Sequence, residues 1–161
     1  MKDTTTHVLR VRIDSSRSDS EVVFTERLSR DFFDLASDDE LSPQSDILVF
    51  GKAYCASEWI MVQALVTTLV CLPCSICDER CLLPIQLKQW EQSIPISSVK
   101  NGVIDLSESL REDLLLEVPN FIQCGGDTCK HADELRSYFR AEGTTLADDG
   151  EEKNQPFLSL L

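Results

Sequence analysis

Apolar residues along this chain follow two rhythms. From His7 to Asp14, Val8, Val11 and Ile13 fall among Arg10, Arg12 and Asp14, a partial period of two that predicts a strand. Ile47 to Ala56 and Trp59 to Leu72 are dense in β-branched and aromatic residues and are separated by a short polar break at Ser57-Glu58, which predicts two more strands. Cys81 to Trp90 alternates again, with Leu83, Ile85 and Leu87 against Pro84, Gln86 and Lys88. A proline cannot donate to a ladder, so this strand is expected at a sheet edge or beside a bulge.

The slower, helical rhythm occurs twice. Val23, Phe24, Leu28, Phe32 and Leu35 recur at three-to-four-residue intervals and predict a helix over Ser20 to Ala36, capped by Ser20. The acid-rich stretch from Ser37 to Asp46 is then a loop, with Pro43 barring a longer helix. After the turn signal Asn101-Gly102, Asp105 to Glu108 has the shape of a capping box. Leu106, Leu110, Leu114 and Val118 then form an apolar stripe that Pro119 ends. His131 to Arg140 predicts a short helix, residues 141–155 a flexible acidic tether, and residues 156–161 (PFLSLL) an apolar end able to dock on the core.

The expected fold is therefore α+β. It is an antiparallel sheet of about four or five strands, curved or barrel-like, with a helix before it and one after it and a cysteine-rich metal knuckle. Residues 1–140 are expected to form one domain, with 1–45 a strand–helix extension and 46–140 the sheet, helix and knuckle. A length of 161 residues with 42% apolar content is enough for one core.

Charge narrows the range of partners. Fifteen Lys and Arg against twenty-eight Asp and Glu give a net charge of −13. The first thirty residues carry six bases and five acids, so nine bases and twenty-three acids, a charge of −14, lie beyond them. A field of that sign opposes sequence-independent binding to phosphates and favours a basic protein partner, with any phosphate contact near the N-terminal arginines. The N-terminus shows no apolar run of a secretory signal, and Trp59 to Pro73 is too short and too polar to span a bilayer. No membrane association is expected. Seven cysteines, an odd number without an export signal, suggest reduced thiols or metal ligands in the cytoplasm.

Four of those cysteines lie within CLPCSICDERC, Cys71 to Cys81. Their spacing matches a bacterial ferredoxin run, which would make an iron–sulfur electron carrier. That run needs a proline directly after its fourth cysteine, whereas Leu82 and Leu83 precede Pro84 here. A redox C-x-x-C needs a helix N-terminus, but Cys74 and Cys77 precede a strand. Zinc accounts for the layout more fully. Cys74 and Cys77 on one turn, with Cys124 and Cys129 on a second turn bent by Gly125 and Gly126, would supply four thiolates. Such a site has no open position and is structural. His131 is an alternative to Cys129 as the fourth ligand. Plain buried thiols remain the simplest alternative, and Cys55 is read as one. No Walker, nucleophile-elbow, zincin or dinucleotide motif occurs, so no enzyme is expected. An acidic protein-interaction module is a further alternative.

The block GVIDLSESLREDLLLEVP, Gly102 to Pro119, preceded by LPCSIC and followed by a cysteine pair, resembles the YceD family of large-ribosomal-RNA accumulation proteins. In that family a strand delivers a C-x-x-C, here Cys74 and Cys77. An Ile-Asp-Leu turn, here Ile104 to Leu106, opens a helix of the form R-E-x-L-L-L-x-x-P, here Arg111 to Pro119. A second cysteine cluster, here Cys124 and Cys129, follows. Cys71 and Cys81 are additions to that pattern. The resemblance implies a non-enzymatic role in synthesis, processing or stability of large-subunit (23S) ribosomal RNA. The charge adds a basic ribosomal protein or assembly factor as partner, with any association to the RNA indirect.

Overall fold

The structure, a computed structural model, describes residues 7–14 and 21–141. It is α+β. The long strands form one antiparallel sheet: β2 (Glu21–Leu28), β4 (Ile47–Ala56), β5 (Trp59–Pro73) and β6 (Arg80–Pro95) lie side by side in that order. The two-residue β3 (Ser42–Pro43) pairs with the far end of β5. Because Val70 and Cys71 pair with β6 on one side and with β3 on the other, β3 prolongs the β4 side of β5. β1 (Arg10–Arg12) and β7 (Val103–Asp105) form a separate two-stranded ladder. The helices α1 (Ser107–Leu116) and α2 (Ala132–Ala141) both follow the sheet.

Alternation explains the central strands. Along β5, Ile60, Val62, Ala64, Val66 and Val70 all point to one buried face, matched across the ladder by Val49 and Ala53 of β4, whose first residue, Ile47, is buried as well. The alternation in β6 changes phase partway. Ala64 pairs with Trp90 but Val66 pairs with Leu87, so β6 carries an extra residue there. Ile85 is buried before this bulge and Trp90 after it, an odd position giving way to an even one. A bulge shifts alternation by one residue, which is why the sequence rhythm faded at Trp90 although the strand runs on to Pro95. Pro84 sits in this strand, which pairs only with β5 among the described residues, as an internal proline requires. The sheet is open rather than barrel-like. Neither β2 nor β6 pairs with a further strand among the described residues.

The helix expected over Ser20 to Ala36 is not one. Residues 21–28 form β2, and a single 3-10 turn covers Arg30–Phe33. Ser20, its expected cap, lies outside the described residues. The run also carries a period of two: Val22, Phe24 and Leu28 face inward while Val23, Thr25 and Arg27 face solvent. The Phe24 ring covers Gly51, where a side-chain carbon would come within 2.6 Å of it. An aromatic ring over a strand glycine fills the space that the glycine leaves. The helical spacing was carried past Leu28 by Phe32 and Leu35, of which Phe32 lies in the 3-10 turn and Leu35 beyond it. The expected strand–helix extension is therefore not one: residues 21–28 are a strand of the sheet itself, followed by a 3-10 turn.

The turn at Asn101-Gly102 forms with both residues at positive φ, 57° and 66°, and delivers β7 back against β1. Leu9, Val11 and Ile13 on one strand and Ile104 on the other are buried. Asp105 reaches the α1 start, although not as a full capping box. Its Oδ1 accepts the Ser107 amide at 3.1 Å, and its Oδ2 accepts from Arg10 at 2.9 Å. Leu106, Leu110 and Leu114 are at most 2% exposed and join the sheet's inner face in one cluster with Phe32, Phe33 and the β1 and β7 side chains. Arg111 donates to the Phe32 carbonyl at 2.8 Å and stacks over its ring. Trp90 donates from its indole to Asp113 at 2.6 Å. No helix among the described residues is long and apolar enough to cross a membrane, and the stretch from Trp59 to Pro73 is β5. The expected tether and apolar end fall in residues 142–161, outside the described residues apart from Ala141, which ends α2.

Candidate metal centre

The six residues between β5 and β6 form a turn whose ends are pinned by the Cys74 amide on the Glu79 carbonyl at 2.8 Å. Within it the Asp78 amide reaches the Cys74 carbonyl at 3.0 Å, and Asp78 takes a left-handed φ of 64°. This tight path lifts Cys74 and Cys77 to one side, with Cys74 buried and Cys77 half-buried.

The second turn follows α1. Gly125 is needed because a side-chain carbon there would collide with the Thr128 carbonyl, and Gly126 because its φ is 86°. The Gly126 amide closes the bend on the Gln123 carbonyl at 3.0 Å. The two turns are fastened to each other by backbone: the Ser75 amide donates to the Ile122 carbonyl at 2.8 Å, and the Ile122 amide donates to Ser75 Oγ at 3.2 Å.

The result brings together sulfurs that are 47 residues apart in the chain. Cys77 Sγ lies 3.8 Å from Cys124 Sγ, which lies 3.8 Å from Cys129 Sγ. All four sulfurs, Cys74, Cys77, Cys124 and Cys129, fall within 4.8 Å of one another. A tetrahedron with metal–sulfur bonds of about 2.3 Å has edges of about 3.8 Å. Four thiols so placed can hold a metal ion.

Backbone amides prepare the site for negative charge. Burial works against the Cys74 thiolate, but the Cys77, Ile76 and Cys124 amides outweigh it and bring its pKa down to about 6. The Lys130 amide, 3.4 Å from Cys124 Sγ, favours that thiolate too, but burial and the Cys129 sulfur prevail and raise its pKa. Cys77 is also pushed up. The Glu79 amide lowers its pKa, but burial and the sulfurs of Cys129, Cys74 and Cys124 prevail and raise it to about 12. Thiols crowded together resist simultaneous ionisation, and a dication removes the conflict.

Of the ferredoxin-spaced run, only Cys74 and Cys77 enter the four-sulfur group. Cys71 is buried within β5. Cys81 is the second residue of β6 and packs against Cys74 and Cys129 with its thiol turned to the Glu79 carbonyl at 3.2 Å. Cys55 lies in β4. His131 does not replace Cys129 in the group. It stands beside Cys77 and Glu79, with its Nε2 3.4 Å from Glu79 Oε2. Glu79 went unnoticed in the sequence, where its one signal is lying two residues past Cys77, as His131 lies two past Cys129.

Comparison with protein-family models, with curated proteins and with solved structures gave no match to this chain.

Proposed function

We propose that the chain is a non-enzymatic, acidic factor, stapled by one structural zinc ion through Cys74, Cys77, Cys124 and Cys129, that acts in the synthesis, processing or stability of large-subunit ribosomal RNA through a basic protein partner. The observation that carries the zinc is the sulfur geometry, whose 3.8 Å edges suit a single tetrahedral ion. A four-iron cube spreads its cysteine sulfurs more widely, so this spacing disfavours the electron carrier. Four thiolates on one ion leave no open coordination position, which suits a brace rather than a catalyst. Seven free thiols suit a reducing compartment such as the cytoplasm.

The ribosomal assignment rests on the order of parts: a hairpin-borne C-x-x-C, the Ile104-Asp105-Leu106 turn, the Arg111-to-Pro119 segment and the second cysteine pair resemble the YceD pattern. The partner rests on charge, since −14 beyond residue 30 repels bare RNA and attracts a basic ribosomal protein or assembly factor. Anaerobically purified protein is expected to hold near-stoichiometric zinc that Cys124→Ser abolishes, and to be colourless. Brown protein absorbing near ~400 nm would instead mark an iron–sulfur cluster. Tagged chain recovered from its own cells is expected to enrich large-subunit precursor RNA only while the particle's proteins are intact. Tight binding to deproteinised RNA with a steep salt slope overturns the protein-partner reading, and no enrichment overturns the ribosomal one.

A further inference from the structure

The four-sulfur group has an outer flank with its own donors. Cys77 Sγ, a Glu79 carboxylate oxygen and a His131 ring nitrogen all lie within 4.8 Å of one another, on the solvent side of the turn. One thiolate, one carboxylate and one imidazole form a donor set that suits a divalent ion of borderline softness.

The imidazole is held at both of its ring nitrogens. His131 Nε2 faces Glu79 at 3.4 Å, while Nδ1 faces Glu134, one turn along the start of α2, at 3.5 Å. A histidine that binds metal through one nitrogen commonly gives its other N–H to a carboxylate, which fixes the tautomer and aims the lone pair. Glu134 occupies that position. The two elements that bring His131 and Glu79 together are the same two that the sulfur group joins.

Charge supplies the driving force. Four thiolates around one dication keep two negative charges in excess, and Glu79 adds another at the rim. A second dication sharing the Cys77 sulfur would relieve that excess, because a thiolate retains lone pairs after its first metal bond.

We propose that Cys77, Glu79 and His131 form a second zinc-class site, with Cys77 bridging the two ions and Glu134 orienting the imidazole. The proposal rests on the zinc staple, since Cys77 serves both. The outer site is the weaker one. His131 and Glu79 are each close to half exposed, and with three protein donors it keeps a position open to water or to an incoming ligand. That makes it the point at which a metal can enter or leave the otherwise closed group.

Zinc titrated into the full-length apo protein under reducing conditions, followed by calorimetry, tests this. Wild type is expected to take one tight equivalent and then one weaker equivalent. His131→Ala and Glu79→Gln are each expected to abolish the weak step and keep the tight one, with unchanged circular dichroism. Glu134→Gln is expected to weaken the second step by about 10–100-fold. Saturation of wild type at one equivalent overturns the outer site and leaves the staple standing. A weak step that survives in the His131→Ala, Glu79→Gln double variant marks an adventitious ion only and also overturns it. Absence of any tight step, in wild type as in Cys124→Ser, overturns the staple itself and the outer site with it.

Discussion

The middle and the tip of the β5–β6 hairpin are held by different forces. Around its middle, Val62, Val66 and Trp90 are buried with Phe32, Leu110 and Leu114, so water exclusion holds the strands. At its tip the buried side chains are Cys74, Cys81 and Cys129, with little apolar surface beside them but Ile122 and Ala132. That cluster is too small to repay the ordering of two tight turns by burial alone. Ligation can repay it, so the zinc proposed for these sulfurs would make the tip depend on an ion and on the redox state of its thiols, while the middle would not.

Removing the metal makes the sharpest break in this contrast. Structural zinc contributes apparent binding energies of about 10–16 kcal/mol in small zinc folds. Chelation of the reduced protein is expected to leave amides of residues 74–79 and 117–131 exchanging freely, while those of β4 and central β5 stay protected. Loss of protection in both regions together would show that the tip and the middle form one cooperative unit. The converse break is Phe32→Ala, which empties a fully buried position beneath Arg111. It is expected to cost about 3–5 kcal/mol in chemical denaturation while each folded molecule retains its metal. Metal lost in proportion would contradict the independence of the two regions.

The smallest effect belongs to the clasp at the α1 start. Burial works against the Asp105 charge, but the Ser107 hydroxyl, the Arg10 guanidinium and the Ser107 amide prevail and lower its pKa. A carboxyl depressed in the folded state stabilises above its unfolded pKa, about 3.9, and that contribution fades as pH falls through the lower folded value. Half of the side chain is exposed and solvent screens the pair, so the loss is expected to stay below about 1 kcal/mol. Denaturation midpoints of wild type should therefore drop in this acid window, with Asp105→Asn lower at neutral pH and flatter through it. Parallel curves would remove Asp105 as the cause.

Local chemistry made much of the molecule legible in the residue order. The strand pair 47–56 and 59–73, the Asn101-Gly102 turn and the Leu106, Leu110, Leu114 stripe each carry their signal within a few residues. The cysteine pairs were readable because each ligand turn is short and the second carries the adjacent Gly125 and Gly126. Where two rhythms overlapped, local reading failed. Val22 to Leu28 suits a strand as well as a helix, and the free edge of β4 with bare Gly51 decided for the strand. The strand in β6 beyond Trp90 was hidden by a bulge, which exists only relative to its partner strand.

By itself, then, the sequence determined the strong local elements, the acidic balance and the donor chemistry of Cys74, Cys77, Cys124 and Cys129. Only the tertiary structure decided that these four sulfurs, and not the closely spaced run from Cys71 to Cys81, lie at ligand distances. It likewise decided that Glu79, His131 and Glu134 stand in line beside them. Spacing along a strand alternates side chains between faces and so scatters neighbouring cysteines. Convergence of distant ones depends on how the hairpin and the segment after α1 are bonded to each other, which no local pattern encodes.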